Sequence, residues 1–223
     1  MPMFIFGQLG WEKSYDIMDD DGGYCTQQTN DGGYIVYGKY NTCQGCSRDS
    51  VVTLIKTDSL GIIEWNRNYI GRPTWGENIQ QTTDGGYIFT TLNLTPFVGF
   101  LGITIIKTYA DGIIEWTKDF GSANWGSGSI KQTNDGGYIV SGGTVSGSTS
   151  STLGDVFLIK LNSVGDSIWG KLYGGVDSWE MGNDVEETID GGYIICGTQN
   201  IFAGWNSTWY SDIYLIKTNN LGD

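Results

Sequence analysis

The sequence predicts an all-β protein, a β-propeller of four blades with four antiparallel strands in each blade. Three observations predict this fold. The motif Asp-Gly-Gly-Tyr-Ile recurs at intervals of roughly fifty residues, which indicates a repeat architecture. Each repeat contains the patterns of four short strands, and the strand that the last repeat lacks occurs at the start of the chain. The four copies of the motif begin at Asp31, Asp84, Asp135 and Asp190.

The first two strands of each repeat flank the Asp-Gly-Gly motif. A short polar run leads into the motif, and a strand that begins with Tyr-Ile follows it. Aspartate, asparagine and glycine accept the positive φ angles of tight turns, so the motif predicts a β-hairpin.

The third strand of each repeat is apolar at consecutive positions and ends in lysine, as in Val-Phe-Leu-Ile-Lys of the third repeat. An unbroken apolar run indicates a strand covered on both faces, which is what the stacking of propeller blades requires. We expect the lysines to pair with nearby carboxylates or carbonyls; a cationic ring that binds an anion is the alternative. They are Lys56, Lys107, Lys160 and Lys217.

The fourth strand carries a tryptophan that recurs at one position and is therefore expected to pack between blades; these residues are Trp65, Trp116 and Trp169. The last repeat ends before its tryptophan, and a matching segment around Trp11 stands near the start. We expect residues 1–16 to complete the last blade and close the ring, which removes two sheet edges. The blades are then 17–70, 71–121, 122–175, and 176–223 with 1–16, in one domain, 1–223. A solenoid or a stacked sandwich is the structural alternative, and exchange of first strands between two chains is the alternative to closure within one chain.

Composition limits the function classes. The net charge is −13, which disfavours nucleic acid and anionic membranes as partners. No apolar run is long enough for a membrane helix. The absence of histidine removes the usual general base and the commonest zinc ligand. The opening apolar residues, 1–7, are either the remnant of a signal peptide or a first edge strand.

Four cysteines are present, and two of them form a C-x-x-C pair, Cys43 and Cys46, in a polar loop. No second pair and no histidine complete a zinc site. We expect a loop disulfide of a secreted protein, with free thiols as the alternative. Cys25 and Cys196 lie at similar positions in different repeats, so a bridge between them is a further alternative.

Ring closure places the tight turns on one rim and the variable loops and tryptophan-bearing linkers on the other. Binding residues concentrate where loops are long and variable. Two tryptophans lie in a loop with no counterpart in other repeats. Three recur in the linkers, where packing in the core is the favoured interpretation and ligand contact the alternative. The candidate ligand-binding residues are Trp205, Trp209, Trp75, Trp125 and Trp179.

An acidic run, Asp19, Asp20 and Asp21, precedes two glycines, and oxygen-rich clusters of this kind suit Ca²⁺. The spacing differs from that of an EF-hand, so a solvated acidic turn is the favoured interpretation. The sequence predicts no other cofactor.

The motifs Gln-Thr-x-Asp-Gly-Gly-Tyr-Ile, Leu-Ile-Lys-Thr-x-x-x-Gly and Trp-x-x-x-Tyr-Gly together resemble the Asp-Gly-Gly-Tyr-Ile repeats of secreted and cell-surface proteins of Bacteroidota and some archaea. The resemblance covers nearly the whole chain. The chain departs from the family pattern at two places. Gly22 and Gly23 replace Trp-Gly in the first linker, and Ile168 stands where the first two repeats have Glu64 and Glu115. The resemblance implies a β-propeller, secretion or a cell-surface location, and a structural or binding role without catalytic residues to carry over.

We therefore expect a protein that is not an enzyme, a secreted or cell-surface module for protein binding, adhesion or assembly. The partner would be a protein or a glycan at the long-loop face. A carbohydrate-binding, lectin-like propeller is one alternative, because aromatic rings stack on sugars. A glycoside-active enzyme is another, but the sequence shows no distinct pair of catalytic carboxylates.

Overall fold

The computed structural model describes residues 10–17, 21–41, 50–71, 79–92, 102–121, 125–144, 154–175, 178–203 and 208–223. These residues form fifteen β-strands in four antiparallel sheets, and the described part of the chain contains no helix. It therefore offers no helical segment that could cross a membrane.

In every sheet the spatial order of the strands follows the chain order. Sheet I contains β1 (Asp21–Gln28), β2 (Tyr34–Asn41), β3 (Ser50–Thr57) and β4 (Ile63–Tyr69). Sheet II contains β5 (Ile79–Gln81), β6 (Tyr87–Leu92), β7 (Ile103–Thr108) and β8 (Ile114–Phe120). Sheet III contains β9 (Trp125–Gln132), β10 (Tyr138–Thr144), β11 (Val156–Leu161) and β12 (Ser167–Tyr173). Sheet IV contains β13 (Ser178–Glu187), β14 (Tyr193–Ala203) and β15 (Thr208–Thr218).

The Asp-Gly-Gly motif forms the hairpin between the first two strands of each sheet, and its two glycines have different tasks. Gly32 has a φ of 84°, a left-handed conformation that favours glycine. A Cβ added to Gly33 would lie 2.1 Å from the carbonyl oxygen of Thr57, so only glycine fits beside the end of β3. The second glycine thus lets the hairpin pack closely against the third strand.

The aspartate of the motif forms an ion pair with the lysine near the end of the third strand, which connects the hairpin to that strand. In sheet III, Asp135 accepts hydrogen bonds from Thr133 Oγ1 at 2.6 Å and Gly137 N at 2.9 Å, and Lys160 Nζ lies 2.9 Å from its Oδ2. Burial acts to raise the pKa of Asp135, but the hydrogen bonds from Thr133 and Lys160 outweigh it and lower the pKa to about 2. Lys160 is only 5% exposed. The lysine therefore pairs locally, as the sequence predicts.

The hydrophobic core lies between consecutive sheets. Ile35, Tyr37 and Leu54 of sheet I are completely buried against Tyr87 and Phe89 of sheet II. Equivalent clusters lie between sheets II and III and between sheets III and IV. This burial on both sides explains the unbroken apolar runs of β3, β7 and β11.

A tryptophan from the outer strand of one sheet packs on the next sheet. The ring of Trp65 in β4 lies 5.7 Å from that of Tyr87, and it also covers Gly112, where an added Cβ would lie 2.9 Å from the indole. Tyr69 donates its hydroxyl to the carbonyl of Gly112 at 2.7 Å. Trp116 and Trp169 repeat the packing one and two sheets further along.

Residues 10–17 lie against sheet I without forming a strand. The ring of Trp11 lies 5.7 Å from the ring of Tyr34, and an added Cβ on Gly61 would lie 2.6 Å from the indole. Tyr15 donates its hydroxyl to the carbonyl of Gly61 at 2.8 Å. These contacts match those that the tryptophan and tyrosine of β4 make with sheet II. The segment therefore takes the place that the outer strand of a preceding sheet would have.

The predicted closure of the ring by the N-terminal strand is not found in the described part of the chain. Sheet IV has three strands there, and β15 is its edge. Side-chain packing joins sheets I to II, II to III and III to IV, and the described residues form no such junction between sheets IV and I. The physical reason is that Trp11 and Tyr15 anchor their segment on sheet I by side chains, and within the described ranges no backbone pairing joins this segment to β15.

We predict that the aspartates of sheets II and III differ in importance. Lys107 keeps a second partner, Glu115 at 3.0 Å, when Asp84 is lost, whereas the position equivalent to Glu115 in sheet III is Ile168. D135A should therefore destabilise the protein more than D84A, by about 1–3 kcal/mol, because Lys160 is left as a buried unpaired charge. Urea denaturation of both variants measures the difference. Equal losses of stability would contradict this account of the lysine.

Candidate functional site

Two carboxyl groups meet at the junction of sheets III and IV, at the end that carries the longer connections. Asp155 directly precedes β11, and Glu180 lies in β13. Backbone hydrogen bonds fix both positions. The Glu180 N–H donates to the carbonyl of Gly154 at 3.0 Å, and the Asp155 carbonyl accepts from the N–H of Thr144 at 2.8 Å.

The two carboxyl groups border one small space beside Gly174. A Cβ added to Gly174 would lie 2.2 Å from Asp155 Oδ1 and 2.9 Å from Glu180 Oε2. The two oxygens are therefore separated by no more than the about 5–5.5 Å that divides the carboxyl pair of retaining glycosidases. Gly174 is itself exposed, so the space adjoins the protein surface.

Glu180 is completely buried, but among the described residues only one of its oxygens has hydrogen-bond partners. Oε1 accepts hydrogen bonds from the hydroxyl of Ser178 and from Gln199 Nε2, the latter at 2.9 Å. Oε2 has no partner in the described part of the chain and lies on the side of Asp155. A buried carboxylate oxygen without a partner is costly, so such groups call for a functional explanation.

The pair changes the proton affinity of its members and of a neighbouring tyrosine. Burial, followed by the negative charge of Glu180, raises the pKa of Asp155 above its ordinary value. Burial and the charges of Glu180 and Asp155 also raise the pKa of Tyr214. Asp155 is partly exposed, so its proton can be exchanged with a bound molecule. These properties suit a carboxylic acid that donates a proton.

An aromatic side chain stands next to the pair. Trp179 is half-buried and packs over Gly154, where an added Cβ would lie 2.4 Å from the indole Cδ1. Its Nε1 is buried without a hydrogen-bond partner among the described residues. The site thus combines two carboxyl groups, one amide side chain, Gln199, and one indole.

The other predicted ligand-binding residues are not brought together in the described part of the chain. Trp125 begins β9 and Trp209 lies in β15, with side chains outside the description. Trp75 and Trp205 lie outside the described residues, as do Cys43 and Cys46 of the predicted disulfide.

The other residues predicted to form a disulfide or to bind a metal are Cys25, Cys196 and the acidic run Asp19, Asp20 and Asp21. Cys25 and Cys196 are free thiols; they belong to sheets I and IV, which do not pack on each other in the described part of the chain. Asp21 begins β1 and its Oδ2 accepts the N–H of Ile17 at 2.6 Å, while Asp19 and Asp20 lie outside the described residues. No group of three or more metal-binding side chains occurs in the part of the chain that the structure describes.

Asp155 and Glu180 are not among the residues predicted from the sequence, although the repeat contains a signal for Glu180. Glu180 follows its linker tryptophan directly, at a position where the linkers of Trp75 and Trp125 have glycine. Asp155 precedes its apolar strand, where the first two repeats have valine and glycine and the fourth has Asp212. The pattern that points to this site is therefore Glu180, a charged residue at a position that the other linkers leave uncharged.

Comparison with models of protein families gives no match, and comparison with curated proteins gives none. The resemblance to Asp-Gly-Gly-Tyr-Ile repeat proteins therefore stays a prediction. Among solved structures, the chain is similar in fold to a mannose phosphorylase from Leishmania mexicana, which was solved in complex with phosphate ion. The TM-score is 0.51 at 12% sequence identity. The match covers 91% of this chain and 65% of the phosphorylase chain.

This comparison contradicts the expectation that the chain is not an enzyme, because a chain of similar fold is a phosphorylase. That expectation depended on the absence of histidine and of a distinct carboxylate pair. The lack of histidine excludes only chemistry that requires an imidazole, and the structure supplies the pair in Asp155 and Glu180.

We predict that D155N makes the protein slightly more stable at pH 7. The folded state raises the pKa of Asp155, so ionising this group opposes folding once the pH exceeds its ordinary value of about 3.9. Because Asp155 is partly exposed, the gain should stay below about 1 kcal/mol, and it should vanish near pH 3. Thermal unfolding at both pH values measures it.

The matched control is D166N at the opposite rim. There Lys118 donates a hydrogen bond to Asp166 and lowers its pKa, so this substitution should not stabilise the protein at pH 7. A loss of stability in D155N at pH 7 would show that Asp155 has a structural role instead.

Proposed function

We propose that this chain is a carbohydrate-active β-propeller that cleaves a glycosidic bond at the site formed by Asp155 and Glu180. The observation that carries the proposal is the buried Oε2 of Glu180, which has no partner among the residues that the structure describes and faces Asp155 across the space beside Gly174. The stacking of four antiparallel sheets supports the propeller. The fold likeness to a mannose phosphorylase supports glycosides, with mannosides as the first class to test.

Asp155 is the proton donor of the proposed reaction. Its raised pKa keeps a proton available, and its partial exposure lets that proton reach a leaving oxygen. The glycosidic C–O bond breaks as Asp155 protonates this oxygen, and a new C–O bond forms between the anomeric carbon and the attacking acceptor. Water or hydrogen phosphate serves as acceptor and returns one proton to Asp155, so the enzyme regains its starting state.

Glu180 acts through Asp155. It is completely buried, and Ser178 and Gln199 hold one of its oxygens while the other faces Asp155. Its negative charge contributes to the raised pKa of Asp155. Trp179 adds an aromatic surface beside the pair, and sugar rings commonly stack on such surfaces in binding sites. We therefore assign Glu180 as a positioning residue and Trp179 as a sugar contact.

The proposal is tested with a panel of disaccharides that includes the α- and β-linked mannobioses, whose alkoxide leaving groups require protonation. Free sugar and sugar phosphate are quantified by chromatography with and without inorganic phosphate, which separates phosphorolysis from hydrolysis. D155N should lower kcat by at least about 100-fold, because general acid catalysis contributes 10²–10⁴-fold. E180Q should shift the alkaline limb of the kcat profile to lower pH, since it removes the charge that helps to raise the pKa of Asp155, the group that must stay protonated.

D166N again serves as the control, because its carboxylate lies on the other rim and should leave turnover unchanged. If the wild-type protein cleaves no glycoside on the panel and no mannoside binds in calorimetry, the proposal is wrong. Turnover that D155N does not reduce would place the activity elsewhere on the chain.

A further inference from the structure

The outer face of sheet IV exposes apolar residues at positions where the other sheets bury them. In sheets I, II and III, the first and third residues of the apolar strand are completely buried against the next sheet. These residues are Val52 and Leu54, Ile103 and Ile105, and Val156 and Leu158, all 0% exposed. Their counterparts in β15 are Ile213 and Leu215, which are 89% and 63% exposed. Cys196, opposite Leu215 on β14, is exposed as well.

The complementary face of sheet I is also uncovered. In sheets II to IV, the tyrosine after the Asp-Gly-Gly turn and the second residue beyond it are buried against the preceding sheet. In sheets II and III, where they are at most 2% exposed, these residues are Tyr87, Phe89, Tyr138 and Val140. In sheet I, Tyr34 and Val36 are half-buried and line a groove of about 450 Å³ together with Trp11 and Tyr24. Only the segment around Trp11 lies over this face among the described residues.

A hydrogen bond of the same kind joins each pair of consecutive sheets. The corresponding donor of sheet IV and the corresponding acceptor of sheet I are not used in these pairs. The backbone N–H that follows the threonine before each turn donates to a side chain of the next sheet. The three pairs are Asn30 to Gln81 at 2.8 Å, Thr83 to Gln132 at 2.8 Å, and Asn134 to Glu187 at 2.7 Å. The corresponding donor in sheet IV belongs to Ile189, which is fully exposed. The corresponding side chain in sheet I is that of Gln28, also exposed.

We propose that the outer face of sheet IV binds the open face of sheet I in a second copy of this chain. The junction would continue the packing that joins sheets I to II, II to III and III to IV. Ile213 and Leu215 of one copy would fill the groove beside Tyr34 of the other. The segment Trp11–Tyr15, already seated on its own sheet I, would then lie beside β15 as the fourth strand of sheet IV.

The partner on the outer face of sheet IV is a second copy, because the Trp11–Tyr15 segment of the same chain is already bound to sheet I. Two chains joined head to tail form two identical junctions, and such heterologous contacts close into a ring when the rotation permits. The number of sheets would then lie at the upper end of the 4–8 blades typical of propellers. The carboxyl pair lies between sheets III and IV, so this inference does not depend on the proposed activity.

Light scattering after size exclusion tests the proposal with the protein at tens of micromolar. The wild-type protein should have at least twice the chain mass of 24.4 kDa. The double variant I213D/L215D should be monomeric, because two carboxylates cannot enter an apolar groove without losing hydration. Both side chains are exposed within one chain, so the variant should fold with an unchanged circular dichroism spectrum. I168D is the control, since Ile168 is 57% exposed on β12 and lies on neither face.

Alkylation of Cys196 gives a second readout. In the wild-type assembly this thiol should react at least tenfold more slowly than in I213D/L215D, as measured by mass spectrometry of the peptide that contains it. A larger assembly that the same double variant disperses would also support the junction. A monomeric wild-type protein would overturn it, whether Cys196 reacts rapidly or is protected by closure within one chain. An assembly that I168D disperses as readily would overturn it too.

Discussion

Each sheet depends on the next one along the chain to cover the face that carries its tryptophan. The ring of Trp65 lies on Tyr87 and Gly112, and the same contact recurs at each following junction. Four short strands cannot bury both faces of their own sheet, so the apolar strand in the middle requires neighbours on both sides. The inter-sheet contact therefore sets the spacing of the repeat, the need for glycine under each indole, and the open faces at the two ends of the series.

The buried lysines show how the same repeat resolves a local conflict. Extending the apolar strand to the hairpin places an ammonium group where water is largely excluded. The motif aspartate accepts this charge while it also holds the turn, through the threonine and the second glycine. Against this regular background, Asp155 and Glu180 stand out because they place two carboxyl groups at one junction, where no cation among the described residues pairs with them. The repeated contacts stabilise the fold, and the carboxyl pair at the junction of sheets III and IV does not take part in them.

The repeat allowed much of the fold to be predicted from the sequence. The period, the Asp-Gly-Gly hairpins and the lysine-terminated strands determine four sheets and their strand order, because these features depend on local turn chemistry and on burial. Ring closure was not predictable, since the match of Trp11 to Trp65 describes side-chain packing on the next sheet and says nothing about pairing with β15. The site could not be predicted because Glu180 meets Asp155 of sheet III across a junction that no local pattern reveals. Only its departure from the repeat points to it.

Packing of tryptophan on glycine between the sheets holds the structure together. Gly165 and Gly136 test it, because both close turns in sheet III with φ near +80°. An added Cβ at Gly136 meets nothing within 4 Å, whereas at Gly165 it would lie 2.7 Å from the indole of Trp116 in sheet II. Urea denaturation of G136A and G165A measures the packing alone, since the backbone strain is shared. We predict that G165A is less stable than G136A by about 1–3 kcal/mol, the usual cost of overpacking. Equal stability of the two variants would contradict the claim.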